Sequence, residues 1–126
     1  MKTLQELQAT ASKMQEFLEA KIDTDSETEI IERMELLQIL LAKSGNLLAD
    51  AKFLQDSATL DATMQVVNDP CMYGQSATFI NKFVNAAGKE FNHIVTWFDR
   101  INSAAGKQHA GLITVLSFRK EQMKLV

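Results

Sequence analysis

Ile80, Val84, Ala87, Phe91, Ile94, Phe98, Ile101 and Ala105 follow one another in alternating steps of four and three. This heptad row constrains the fold more than any other feature of the chain. A β-strand would divide these positions between its two faces, whereas on a helix they form one continuous apolar stripe. Such a stripe is stable in water only when another helix lies along it. Ser76 suits the N-cap of this helix. Beyond Ala105 the row continues as Gln108, Leu112, Val115 and Arg119, and it is weaker because two of the four are polar. Asn102, Gly106 and Gly111 also lower helix propensity, each Gly by about 1 kcal/mol relative to Ala. The pattern allows one helix over about 76–124 or a break near 102–107, and the unbroken helix is expected.

The segment before it supplies a partner. Ile30, Met34, Leu37, Leu41, Ser44, Leu48 and Ala51 also step by four and three, with a second row, Leu36, Leu40, Leu47 and Leu54, beside them. Two adjoining rows suit a helix with more than one neighbour. Ser26 and Glu29 fit a capping box, and Glu27, Glu29 and Glu32 place negative charge at the positive end of the helix dipole. Gly45 followed by Asn46 could end a helix, yet the row keeps phase across it. One helix over about 26–67 is expected, with Gly45 a candidate kink. A shorter amphipathic helix over about 3–21 carries Leu4, Leu7, Ala11, Met14, Phe17 and Leu18 on one face.

Between the long segments lies VVNDPCMYGQS, residues 66–76, with the only Pro, Cys and Tyr of the chain. Pro70 biases Asp69 away from helix, and Asn68, Asp69 and Gly74 are turn formers. The stretch therefore reads as the bend of a hairpin, with Met72 and Tyr73 expected to cap the core. The expected fold is all-α: an elongated antiparallel hairpin of two long helices plus a shorter N-terminal helix. It would be bundle-like or coiled-coil-like, within a single helical domain over residues 1–126. Two long helices and one short one leave apolar surface uncovered, so a homo-oligomer is expected.

Charge is uneven. Residues 1–69 hold six Lys/Arg against thirteen Asp/Glu, and residues 70–126 hold seven against three. An acidic helix packed beside a basic one accounts for this, and an interaction surface is the alternative. No stretch has the length of a signal-peptide core or a membrane span, so no membrane association and a cytoplasmic location are expected.

Few residues carry legible chemistry. Glu90 and His93 have the Glu-x-x-His spacing of di-iron bundles, but one chain supplies one such pair where two pairs and two further glutamates are needed. They are read as surface residues, and as a metal site only if a homodimer assembles a second pair. His109 has no same-face partner, and Asp69 disfavours a Cys71 thiolate. No nucleophile motif or phosphate loop is legible, so no catalytic residue, cofactor or metal is assigned. Phe79, Phe83 and Trp97 are the candidate interface residues, because aromatic side chains concentrate at interface hot spots. Arg100, Lys107, Arg119, Lys120 and Lys124 are the candidate nucleic-acid contacts, though they do not fall on one face and no binding module is legible.

LLAKSGNLLADAKFLQDSA (residues 40–58) and WFDRINSAAGKQHAGLITVLSFRKEQMK (97–124) resemble small all-helical proteins of bacterial prophages and related mobile elements. The resemblance covers under half of the chain and brings no catalytic residues. It implies a bacterial cytoplasm and a setting among DNA replication, recombination or packaging genes. The expected function is a non-catalytic interaction or assembly protein that self-associates and meets a protein partner. The alternative is a nucleic-acid-binding accessory factor using the basic C-terminal segment.

Overall fold

A computed structural model describes residues 2–125; the outermost residue at either end of the expected 1–126 domain lies outside it. Four helices follow in order: α1 (Leu4–Glu19), α2 (Glu27–Asn68), α3 (Pro70–Tyr73) and α4 (Ala77–Lys124). No strand occurs among the described residues. The arms α2 and α4 have 42 and 48 residues, or roughly 63 and 72 Å at 1.5 Å per residue. They pair antiparallel, and α1 packs against both with more of its contact on α4.

Local chemistry sets the ends. Thr3, Ser26 and Ser76 are N-caps whose hydroxyls accept the N–H of Glu6, Glu29 and Phe79. The capping box of α2 is half formed. Ser26 accepts from Glu29, but the Glu29 carboxylate reaches past it to the N–H of Asp23 at 2.7 Å. The helix α1 stops at Glu19, two residues before the expected end, and Ala20 donates to the carbonyls of Glu16 and Phe17. In the bend, Asp69 closes α2 and caps α3 by accepting from the N–H of Cys71 at 2.9 Å. Pro70 takes the first position of α3, where its missing N–H costs nothing. Tyr73 does not cap the core; it is 69% exposed, and Met72 is half-buried.

Neither Gly45 nor residues 102–107 interrupt the arms. The weak part of the α4 row, Gln108, Leu112, Val115 and Arg119, stays in phase and at least half-buried. On α2 the buried face differs from the expected one. Ile30, Leu37, Ser44 and Ala51 are buried as expected, but their companions are Arg33, Leu40 and Leu47 rather than Met34, Leu41 and Leu48. The buried stripe is rotated toward the side on which α1 lies. In the neighbouring row, Leu36 is half exposed and lines a groove between α1 and α2.

The core is confined to one half of the hairpin. One cluster joins Leu7, Ala11, Met14 and Leu18 of α1 to residues 30–51 of α2 and 94–112 of α4. Ala62 and Val66 are buried further along α2 but lie outside that cluster. The half with α1 is a three-helix bundle; the half toward the bend is two helices.

Helix approach in the two-helix half depends on Gly88, which is buried. A Cβ there would lie 2.9 Å from Thr59 Oγ1 and 3.5 Å from Gln55 Cγ, whereas at Gly111 it would meet nothing within 4 Å. Gly111→Ala should therefore stabilise the protein by about 1 kcal/mol through helix propensity. Gly88→Leu should destabilise it by about 1–3 kcal/mol by forcing the arms apart. Urea denaturation followed by circular dichroism checks both signs.

Candidate functional site

The closed end of the bundle is held by polar groups. Arg33 is only 6% exposed. Its Nη2 donates to the carbonyls of Phe17 (2.6 Å) and Leu18 (3.2 Å), and its Nε donates to Gln108 Oε1 at 2.8 Å. Gln108 Nε2 donates to the same Leu18 carbonyl at 3.1 Å. The last carbonyls of α1 point out of a helix with no basic residue in its own last turn. Arg33 of α2 supplies the missing cation at that negative end, and its guanidinium carbon sits 4.1 Å from the Phe17 ring centroid. Burial lowers the Arg33 pKa below its ordinary value. No carboxylate pairs with it among the described residues, so carbonyl dipoles, an amide and an aromatic face hold the charge.

Further pins fix the register of the arms. Asn102 Nδ2 donates to Leu41 O (3.0 Å) and Ser44 Oγ (2.9 Å). Gln38 Nε2 donates to His109 Nε2 at 3.4 Å. Gln55 Nε2 reaches Asn92 Oδ1 and the carbonyl of Gly88. Arg119 donates to the carbonyl of Asp25 at 2.9 Å and to its carboxylate at 3.1 Å. That ion pair is the only one among the described residues between the acidic and basic halves; the other, Lys124–Glu121, lies within α4.

Holding α1 in this place leaves two surfaces open. One is a shallow groove of about 520 Å³ between α1 and α2, with Met14, Phe17, Leu36, Ile39 and Leu47 on its walls and Lys2, Lys13 and Lys43 at its rim. The other is the two-helix half, where Phe53, Leu60, Met64 and Val67 each expose half or more of their surface. Near the bend, Met64 and Phe83 line a crease with Asp61, Asp69 and Met72.

The expected site residues fall into two groups. Phe79, Phe83, Glu90, His93, Trp97, Arg100 and Lys107 each immediately precede a member of the α4 row, so the unbroken helix puts all seven on one face. Phe79 is 45% exposed, while Phe83 and Trp97 are half-buried. Trp97 packs on the core cluster and lies beside the His93 ring, with centroids 5.5 Å apart. Glu90 and His93 are exposed, and among the described residues no three potential metal ligands come together. The basic residues are divided. Arg100 and Lys107 are exposed on the aromatic face; Arg119 occupies the inward row and is engaged with Asp25. Lys120 and Lys124 stand on another side of the helix, roughly 200° and 240° around from Arg100 at ~100° per residue, and Lys124 pairs with Glu121.

Sequence reasoning missed Arg33. Its signal was the three-residue step from Ile30 in a row where Leu37, Leu40, Ser44 and Leu47 continue the count. No protein-family model, curated protein or solved structure matches the chain, and no described helix is long and apolar enough to cross a membrane.

Arg33→Ala would strip a cation from the two terminal carbonyls and leave Gln108 with one partner. The expected loss is about 2–3 kcal/mol, in the range of hydrogen bonds to charged groups. Hydrogen exchange should show residues 4–19 losing protection first, with the α2–α4 pairing retained. Uniform loss along the chain would assign Arg33 no special part in holding α1.

Proposed function

We propose that this chain is a non-catalytic helical assembly protein that works by self-association and presents its remaining surface to a protein partner. The observation that carries this reading is the two-helix half, whose large apolar side chains on α2 and at Phe79 are exposed in the single chain. Large apolar side chains exposed together along one helix mark a contact surface. The aromatic face of α4 offers a second strip. Arg and aromatic side chains are the residue types that dominate interface energies, and Trp97 with Arg100 and Phe83 supplies them there. The resemblance to prophage-encoded helical proteins supports an accessory role in a bacterial mobile element.

Nucleic-acid binding is the second reading, favoured by the exposure of Arg100 and Lys107 beside Trp97. Engagement of Arg119 by Asp25 and of Lys124 by Glu121 leaves it fewer phosphate contacts than the sequence offers.

Sedimentation at micromolar concentration should show an elongated oligomer, independent of added metal. Leu60→Glu combined with Met64→Glu should weaken association by about 100-fold or more, about 2.8 kcal/mol, with helicity nearly unchanged because both side chains are exposed in the single chain. In a low-salt anisotropy titration, labelled single- and double-stranded DNA should show no binding. A monomeric wild type would sink the assembly reading. DNA binding that falls steeply with salt and is lost in Arg100→Ala/Lys107→Ala would replace it with the second.

A further inference from the structure

We infer that a second copy of this chain docks antiparallel along α2, the acidic two-helix half of each copy seated in the lysine-rimmed groove of the other. The inference rests on the self-association proposed above and assigns its geometry.

The argument begins with a second heptad row on α2, turned away from the buried one. Leu36 and Ile39 form one end, and Phe53, Leu60, Met64 and Val67 the other, all half or more exposed. Lys43, Asn46, Asp50 and Ser57 fill the intervening positions, so the row from 36 to 67 is apolar toward its two ends and mixed between them. On an isolated helix such a row has no purpose in folding; it matches a seam for another helix.

Reversed against itself, the row is self-complementary. Aligned about a point between residues 51 and 52, Leu36 faces Val67 of the other copy and Ile39 faces its Met64. Asn46 then faces Ser57, and the Lys43 stem lies along Leu60. Apolar positions meet at both ends; nearer the middle Asn46 pairs with Ser57, and at the centre Asp50 lies beside Phe53. A parallel alignment would set Lys43 against Lys43 and Asp50 against Asp50, and like charges in juxtaposition oppose association.

Charge points the same way. Residues 53–81 hold Asp56, Asp61 and Asp69 and no Lys or Arg. The groove that would receive this stretch has Lys2, Lys13 and Lys43 at its rim and no carboxylate in its lining. None of these lysines or aspartates forms an ion pair among the described residues. Because the same contact is made twice about a two-fold axis, the assembly closes at two copies. Each two-helix half then gains, from its partner, the cover that α1 gives the other half.

The test uses the full chain with Cys71→Ser, so that engineered thiols are the only ones. Asn46→Cys and Ser57→Cys are made singly and together. The two sites are eleven residues apart on one helix, about 16 Å, too far for a disulfide within one chain. Oxidation should link the double variant into a covalent dimer at least about tenfold more than either single variant, with less linking in high salt. Single variants that link as well as the double one would mean a parallel dimer, and a ladder of larger species an open head-to-tail array; either overturns the inference. So does a dimer in sedimentation whose double variant does not link, and that outcome leaves self-association standing. A monomer in sedimentation overturns both.

Discussion

The seam between α2 and α4 sets every other feature of this molecule, because the two arms are long and the third helix is short. At 1.5 Å per residue, the 16 residues of α1 reach about 24 Å, well under half of either arm. The hairpin therefore has two unequal halves. Where α1 lies, Leu7, Leu37, Ile94, Phe98 and Ile101 are almost wholly buried. Beyond it the arms meet through smaller groups, with Gly88 and Ala62 among the buried positions and large apolar side chains left outside. A two-helix contact buries too little surface to do otherwise, and the proposed second copy would supply the missing cover.

Polar side chains fix where the apolar stripes meet. Leucine-rich stripes tolerate sliding by a heptad, since one apolar layer resembles the next. Hydrogen-bonded polar groups within the seam do not, because a slip leaves each of them buried without a partner. Asn102 with Ser44 holds the arms in this way, and Gln55 with the exposed Asn92 adds a second contact nearer the surface. Arg33 and Gln108 do the same for α1 by binding its terminal carbonyls. Arg119 ties the loop between α1 and α2 to the far end of α4 through Asp25. The position of α1, and with it the groove beside α2, follows from these few contacts.

Much of the architecture was legible because helix periodicity records which face is buried. The α4 row, the caps at Ser26 and Ser76 and the bend at Pro70 all appear where the residues imply them. What was not legible depends on the third helix. The amphipathic pattern of α1 shows that it packs, but not on which side of the hairpin, and that side decides whether Leu40 and Leu47 or Leu41 and Leu48 are buried. Gln108 and Arg119 looked like a fading of the α4 stripe, whereas they are the groups that α1 and its loop require. Gly106 and Gly111 lower helix propensity and left a break near 102–107 open, but a helix packed along its length carries both without ending. The aromatic face of α4 was scattered in the sequence and became one face only because the helix is continuous.

The proposed self-association makes stability unequal along the hairpin, with the two-helix half ordered in part by a second copy. Hydrogen exchange resolved along the sequence and repeated across protein concentrations measures that directly. Residues 52–68 and 77–90 should gain protection as concentration rises, while residues 7–18 and 94–112 are protected at every concentration. Equal protection in both halves, independent of concentration, would contradict it.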